Sequence, residues 1–187
     1  MPNPTATRPA ESPVVFVGAA TIDSIALVDT FPTPDQRVVA EELVVAGGGP
    51  AATAAVTAAR LGIRAAFVGS VGADDDGDRI LEGLAAEGVD VSGVTRVPGA
   101  RSAASVIVVD RGRGTRAICT RPGPDVEIGR GAEMVDAAAW VHADHLGWAA
   151  VRHLLSRGPG RPRLSVDAGN AIPEFSPAGV DLYVPTV

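Results

Sequence analysis

The stretch VVAGGGPAATAAVTAARLG, at positions 44–62, constrains the fold more than any other part of the chain. A β-branched run ends in three consecutive glycines, and a proline then opens a segment built almost wholly of alanine and threonine. Glycine permits positive φ angles and a close approach of the backbone, and proline suits the first turn of a helix. The stretch therefore predicts a strand, a bare turn and a thin helix, Pro50–Leu61, which Gly62 ends.

The three glycines Gly47, Gly48 and Gly49 exceed what a tight turn requires, so we interpret them as a binding segment. The helix that follows is expected to point free backbone N–H groups at the ligand. A strand-to-helix turn without a ligand is the alternative. The letters GGGPAA also satisfy the dinucleotide fingerprint G-x-G-x-x-A, but no acidic residue follows the next strand to take a ribose hydroxyl. A Rossmann-type NAD(P)-binding domain is therefore the less favoured interpretation.

Short Val, Ile and Ala runs alternate with alanine-rich segments, which is typical of an α/β fold with a largely parallel sheet. The predicted sheet strands are Val14–Val17, Ala65–Val68, Trp140–Ala143, Leu164–Asp167 and Leu182–Val184. The further predicted helices are Asp76–Ala86, Glu133–Ala138 and Trp148–Ser156. With 46% hydrophobic and 20% charged residues, a single domain with its own core is expected over residues 13–187.

Four more segments resemble strands, and no predicted helix separates the first two from each other or the last two from each other. They are Ile25–Val28, Arg37–Ala46, Ser102–Asp110 and Thr115–Thr120. The last two flank the sequence DRGRG, which predicts a hairpin turn. We therefore expect a small antiparallel sheet, formed within residues 25–46 and 102–120, that covers a site as a lid.

Charge and composition exclude several classes of partner. The formal net charge is −6 without a basic half, which argues against nucleic acid or an anionic membrane as a partner. The apolar window at 13–28 contains Asp23, so it does not predict a membrane span. The single cysteine, Cys119, fits a reducing compartment. Residues 1–12 lack the apolar core of a signal peptide and predict a disordered tail, so a cytoplasmic protein is expected.

Four ordered motifs resemble those of the PfkB/ribokinase family of carbohydrate kinases. They are VVFVG followed by Asp23, the pair Gly47-Gly48 opening an alanine helix that ends in ARLG, FVGSVG, and DDDG. The resemblance covers roughly residues 14–187, and the wording GGGPAAT is similar to the branch containing sulfofructose kinases. Many family members have Asn after the double glycine, where this chain has Gly49-Pro50. The resemblance implies a ribokinase-like, doubly wound α/β sheet with helices on both faces and a β lid.

The resemblance also implies an activity, which is ATP-dependent phosphorylation of a hydroxyl of a sugar or sugar derivative, with ATP and magnesium as cofactors. It implies that Asp23, Gly47 and Gly48 hold the sugar hydroxyls, with Gly49 in the same segment. A carboxylate accepts hydrogen bonds from neighbouring hydroxyls, which agrees with this role for Asp23, although a plain loop or capping aspartate is the alternative. The expected partners are a small-molecule sugar and a second copy bound through the lid.

Arginines crowd the predicted lid hairpin. We interpret Arg111 and Arg113 as solubilising residues on the turn. Arg116 lies within a predicted strand, and our hypothesis is that it points under the lid and pairs with a phosphate, sulfonate or carboxylate group of a substrate.

Several acidic and histidine residues invite a metal interpretation. DDDGD at 74–78 fails the calcium-loop pattern at both ends and is better explained as a helix N-terminus. His142 lies in the predicted strand Trp140–Ala143, and Asp144 and His145 follow it. These three residues lack a further ligand with zinc-site spacing, so no metal site is predicted. Asp167 and Asn170 are candidates for binding cofactor phosphates or magnesium, with a turn-forming role as the alternative.

The family's catalytic segment, Gly-Ala-Gly-Asp, does not occur in the sequence. In the family its glycines form an anion hole and its Asp is the base for the acceptor hydroxyl. Thr186 stands where the family has the Asn of an Asn-Glu-x-x-Glu segment. No catalytic residue is therefore predicted within the chain, and we expect it to be inactive alone, as the sugar-binding half and lid of a kinase whose C-terminal part is missing. A non-catalytic sugar-binding or interaction module is the alternative.

Overall fold

The computed structural model describes residues 13–158 and 160–185. Its main sheet has five parallel strands in the order β11-β10-β9-β1-β4. Their bounds are Val14–Val17 (β1), Ala65–Val68 (β4), Trp140–Ala143 (β9), Arg163–Ala168 (β10) and Leu182–Pro185 (β11). The predicted tail at residues 1–12 and Thr186 lie outside the described residues. All five predicted sheet strands are confirmed.

Helices cover both faces of the main sheet, which confirms the doubly wound arrangement. They are Pro50–Arg60 (α1), Asp75–Ala86 (α2), Ala132–Ala137 (α3) and Trp148–Val151 (α4), and a short 3₁₀ segment, Arg152–Ser156, follows α4. On one face, Phe16 and Phe67 pack with the alanines of α1. On the other face, Val135 and Val151 pack against the strand valines. The small alanine side chains allow α1 to lie close to the sheet, as the sequence predicts.

A second sheet stands beside the first and is called the lid from here on. Its strands are Thr21–Val28 (β2), Glu42–Gly48 (β3), Ala104–Asp110 (β7) and Thr115–Arg121 (β8), in the order β3-β2-β7-β8. The predicted antiparallel pairing holds for β2 with β3 and for β7 with β8, whereas β2 and β7 run parallel. The predicted lid is therefore present, as a mixed sheet.

The lid has two different faces because side chains alternate along each strand. Ile118 and Thr120 of β8 face one side, and the exposed Cys119 between them faces the other. Cys119 lies directly opposite Val106 of β7. This alternation determines which residues of the lid face the interior of the molecule.

Two short strands are absent from the sequence prediction. Ser70–Gly72 (β5) and Thr95–Val97 (β6) form a two-stranded parallel ladder. Each has only three residues, too few for an alternating pattern to be recognised. In the described part of the chain, no helix is long and apolar enough to cross a bilayer.

Candidate functional site

The lid and the carboxyl ends of the main strands enclose a cleft of about 690 Å³. The sheet contributes Gly18 after β1, His145 after β9 and Asn170 after β10. The lid contributes polar and apolar side chains of β2, β7 and β8. Pockets in open α/β sheets form at this edge, because neighbouring strands end there and their loops diverge. The cleft is therefore the candidate functional site.

Asp23 lies in β2 and lines the cleft, half-buried. The Thr21 hydroxyl donates a hydrogen bond of 2.9 Å to its Oδ1. Oδ2 lies against Gly48 of the neighbouring strand, where a Cβ atom would overlap with it. The structure therefore brings the predicted carboxylate and the glycine segment together, and the missing side chain of Gly48 leaves room for the carboxylate.

The three glycines occupy different positions around the cleft. Gly49 lines it beside Pro50 and has a φ of 94°, and a Cβ atom there would collide with the carbonyl oxygen of Ala19. Gly47 and Gly48 line an adjoining pocket of about 410 Å³ between α1, α2 and β3. Apart from its two chain neighbours, none of the residues that the structure describes has an atom within 4 Å of a Cβ built at Gly47. The tight constraints therefore fall on Gly48 and Gly49.

The expectation of free N–H groups at the start of α1 is wrong. Pro50 has no N–H, and the next three N–H groups all have acceptors within the protein. Ala51 donates to Asp144 Oδ2, Ala52 donates to the carbonyl of Ala19, and Thr53 donates to the carbonyl of Gly49. These three N–H groups are thus bonded within the protein, and the cleft is lined here by Asp23, Gly49 and Pro50.

Arg116 lies on the same lid face as the cleft but further from the main sheet. It follows the alternation of Ile118 and Thr120, which line the cleft, and pairs across the ladder with Val109. Its side chain is exposed, and it is outside the set of residues that line the cleft. The hypothesis that it contacts an anionic group stays a prediction.

Asp167 and Asn170 lie at the end of β10 in different surroundings. Asn170 lines the cleft, and its Nδ2 is 3.4 Å from Nε2 of His145. Asp167 accepts a hydrogen bond of 2.9 Å from the N–H of Gly169, which is the geometry of a turn-forming aspartate. Of the two candidate cofactor residues, Asn170 is the one that the structure places in the cleft.

His142 belongs to a partly buried polar cluster with Trp140 and Ser165, on the central strand β9 and its neighbour β10. The Ser165 hydroxyl lies 2.9 Å from its Nδ1 and accepts a hydrogen bond from Nε1 of Trp140. Burial lowers the pKa of His142, and the nearby carboxylates of Asp167 and Asp144 oppose this by raising it. Within residues 13–158 and 160–185, no group of three or more His, Cys, Asp or Glu side chains is placed to hold a metal ion.

The acidic run at 74–78 caps α2, as predicted. Asp74 accepts a hydrogen bond from the N–H of Gly77 and two from Ser102, one from its N–H and one from its hydroxyl. Burial raises the pKa of Asp74, but these hydrogen bonds outweigh it and the net pKa is lowered. Because Ser102 leads into β7, this cap also fastens the base of the lid to α2.

Sequence reasoning missed two features of the site. Ile107 and Ile118 form an apolar wall of the cleft, although the alternating pattern of β7 and β8 carries a signal for it. Asp144 is completely buried, and its carboxylate accepts hydrogen bonds from four backbone N–H groups. No local sequence pattern reports the bonds from Ala51 and Ala19, because these two donors are 93 and 125 residues away.

The dinucleotide interpretation does not fit the connectivity. A Rossmann fingerprint joins the first strand of the main sheet to a helix. Here the glycines follow β3, which belongs to the lid, and β1 leads into β2 instead.

Comparison with known proteins agrees with this geometry. Residues 12–158 match the pfkB family carbohydrate kinase. The ATP-dependent ribose-1-phosphate kinase of Halopiger xanaduensis is 32% identical over 146 residues, which are 78% of this chain and 46% of that protein. The fructokinase of Escherichia coli is 31% identical over 137 residues, which are 73% of this chain and 41% of that protein. The matched part is therefore less than half the length of either relative.

Solved structures show the same fold. The ribokinase of Arabidopsis thaliana, complexed with ribose and ATP, has a TM-score of 0.73 at 22% identity, over 94% of this chain and 60% of that one. The ribokinase of Giardia lamblia has a TM-score of 0.76 at 19% identity, over 93% of this chain and 58% of that one. The architecture is thus ribokinase-like, and with the match over residues 12–158 it follows that the chain belongs to the pfkB family of carbohydrate kinases.

Proposed function

We propose that this chain forms the sugar-binding half and lid of a kinase that transfers a phosphoryl group from ATP to a hydroxyl of a sugar or sugar derivative. The observation that carries the proposal is that Asp23 and Gly49 line one cleft under the lid. A carboxylate accepts hydrogen bonds from two neighbouring hydroxyls, and bare backbone lets a polyhydroxylated molecule approach closely. Related proteins named for ribose, ribose 1-phosphate and fructose point to the same class of substrate.

The proposed roles differ between residues. Asp23 binds sugar hydroxyls, while Gly48 and Gly49 shape the backbone around it and Gly47 continues the segment. Asn170 approaches the phosphoryl donor from the end of β10. ATP and magnesium are the proposed cofactors, and the base that activates the hydroxyl is proposed to lie outside this chain.

Titration calorimetry with D-ribose and D-fructose tests the role of Asp23. Hydrogen bonds to a charged group are worth about 1.5–3 kcal/mol, so Asp23→Asn is expected to weaken binding by roughly 10- to 100-fold. Asp29→Asn is the matched control, because Asp29 is exposed in the loop after β2 and away from the cleft. Equal affinity of wild type and Asp23→Asn for a sugar that binds would contradict the proposal.

The same titrations with ribose 1-phosphate address Arg116. If Arg116 meets an anionic group, Arg116→Ala weakens binding of ribose 1-phosphate far more than binding of D-ribose, whereas Arg113→Ala on the hairpin turn changes neither. Equal losses for both ligands would dispose of the anion-binding role and leave a neutral sugar as the proposed substrate.

A further inference from the structure

Asp144 is a completely buried carboxylate at the end of β9. It accepts four hydrogen bonds from backbone N–H groups. Oδ2 accepts from Ala19 at 2.7 Å and from Ala51 at 3.2 Å, and Oδ1 accepts from Leu146 and Gly147, both at 2.9 Å. A buried carboxylate is costly unless its oxygens are fully satisfied, and these four donors supply that compensation.

The four donors belong to three segments that are far apart in sequence. Ala19 lies in the turn between β1 and β2, Ala51 in the first turn of α1, and Leu146 and Gly147 in the loop after β9. A second bond, from the N–H of Ala52 to the carbonyl of Ala19, joins the first two segments directly. The carboxylate is therefore the point where the three segments meet.

The surrounding glycines make room for this arrangement. A Cβ atom at Gly18 would overlap with the carboxylate of Asp144, and one at Gly147 would overlap with the carbonyl of Val17. The backbone N–H of Asp144 itself donates to that same carbonyl, at 3.2 Å. Close packing of main chain around the carboxylate leaves the three segments little freedom to move apart.

All three segments line the cleft, whereas Asp144 does not. Ala19, Gly49, Pro50 and Leu146 are in its wall, and the carboxylate lies behind them. We propose that Asp144 is a positioning residue of the sugar site. It holds the β1–β2 turn and the Gly49–Pro50 junction at a fixed separation, so that the pocket beside Asp23 is preformed. The effect on sugar binding rests on the proposed function, whereas the anchoring itself does not.

The variant Asp144→Asn tests the proposal, because an amide has the same shape but only one oxygen to accept hydrogen bonds. Hydrogen exchange of the amides of Ala19, Ala51, Leu146 and Gly147 is measured by NMR. We expect exchange to become at least about tenfold faster for one donor pair, with strands β1 and β4 little changed. D-ribose affinity is expected to fall about tenfold or more, since a loosened site is binding-competent for only part of the time.

Asp181→Asn is the control for a carboxylate that lies outside the cleft. Asp181 also accepts a backbone N–H, from Leu164 at 2.8 Å, but it lies between β10 and β11 and away from the cleft. It is expected to lower stability without changing D-ribose affinity. A purely structural role of Asp144 would give the same result for both variants, and that result would overturn the positioning role.

The anchoring by Asp144 and the proposed sugar binding can be refuted separately. Unchanged exchange of all four amides in Asp144→Asn would overturn the anchoring, whatever the ligand does. If the wild-type chain binds neither D-ribose nor D-fructose, the proposed function fails, and exchange alone decides the anchoring. If Asp144→Asn does not fold, exchange in the wild type decides it, because rates near those of an unstructured chain at Ala19 and Ala51 would refute the bonds to Oδ2.

Discussion

At the scale of single residues, the glycines show how unequal neighbouring positions of one motif are. A side chain at Gly48 would displace the Asp23 carboxylate, whereas the space around Gly47 is open. The sequence alone treats the two as equivalent, because a run of glycines does not report what lies next to each Cα. The motif predicts where the candidate site lies, and the packing shows that Gly48, and not Gly47, lies against the Asp23 carboxylate.

Alanine substitutions therefore separate the two positions. Gly48→Ala is expected to weaken D-ribose binding at least about tenfold, because the new methyl group pushes Asp23 out of place. Gly47→Ala is the control and is expected to bind as the wild type does. Titration calorimetry of both variants checks this, and equal affinities would show that the gap beside Asp23 is not needed.

We expect His142 to make the stability of the fold depend on pH. Its pKa in the folded state is lowered from 6.5, mainly by burial, so the unfolded chain binds a proton more readily than the fold. The contribution of neutral His142 to the free energy of unfolding is fully present above about pH 6.5. It is lost as the pH falls from there toward the lowered pKa of the folded state. Carboxylates with a lowered pKa, such as Asp181, lose their contribution to stability only as the pH falls below their ordinary pKa of 3.8, so they do not affect the range in which His142 titrates.

Urea unfolding between pH 7.5 and 5 measures this contribution. The free energy of unfolding of the wild type is expected to fall on acidification, and His142→Gln is expected to lose much of that slope while keeping a polar group near Ser165. Parallel pH profiles for the two proteins would show that another group is responsible.

At the scale of secondary-structure elements, the first three helices and the strands of the main sheet were predictable and the short or polar elements were not. The predicted helix Trp148–Ser156 is α-helical only over Trp148–Val151 and continues as a 3₁₀ segment. Pro50 and Asp74 define where α1 and α2 begin, so both helices were predicted to within a residue.

Strand β2 begins at Thr21, four residues before the predicted Ile25. The prediction missed the first part of the strand because that part is largely polar, and Thr21 and Asp23 in it line the cleft. The hydrophobic pattern that predicts strands is missing there, because these side chains face the cleft and not the core.

The base of the lid depends on Arg121, the last residue of β8. Its guanidinium donates to the carbonyl of Ser102 at 2.8 and 3.1 Å and to Asp76 of α2 at 2.7 Å. Arg121→Gln is expected to cost about 1–2 kcal/mol in the free energy of unfolding and to speed hydrogen exchange in β7 and β8.

Arg96→Gln is the control for this element. Arg96 pairs with Asp78 at a more exposed position outside the lid, so its loss is expected to cost under about 0.5 kcal/mol and to leave lid exchange unchanged. Similar costs and exchange patterns for the two variants would mean that Arg121 does not fasten the lid.

At the scale of the whole molecule, the fold class and the existence of a lid were predictable because they follow from the order of strand-like and helix-like segments. The way in which the walls of the cleft are held together was not predictable, because it depends on contacts between distant segments. Asp144 illustrates this best, since it joins the turn after β1 to the start of α1. Sequence patterns report on residues that are close along the chain, whereas the hydrogen bonds of Asp144 join residues that are distant in the chain and close in space.

We expect the chain alone to have no kinase activity. The sequence contains no Gly-Ala-Gly-Asp segment, and phosphoryl transfer needs a base and an electrostatic cradle for the moving group. With ATP, magnesium and D-ribose or D-fructose, we expect no ADP production above that of the Asp23→Asn variant. A coupled ADP assay measures this, and sugar-dependent turnover that Asp23→Asn abolishes would contradict the expectation.

The exposed thiol of Cys119 has a practical consequence. It is the single cysteine of the sequence, it sits on a lid strand, and it faces away from the cleft-lining side chains Ile118 and Thr120. A maleimide dye or nitroxide attached there leaves the cavity unobstructed. The sequence thus already carries a single attachment point for a probe that reports the position of the lid relative to the main sheet.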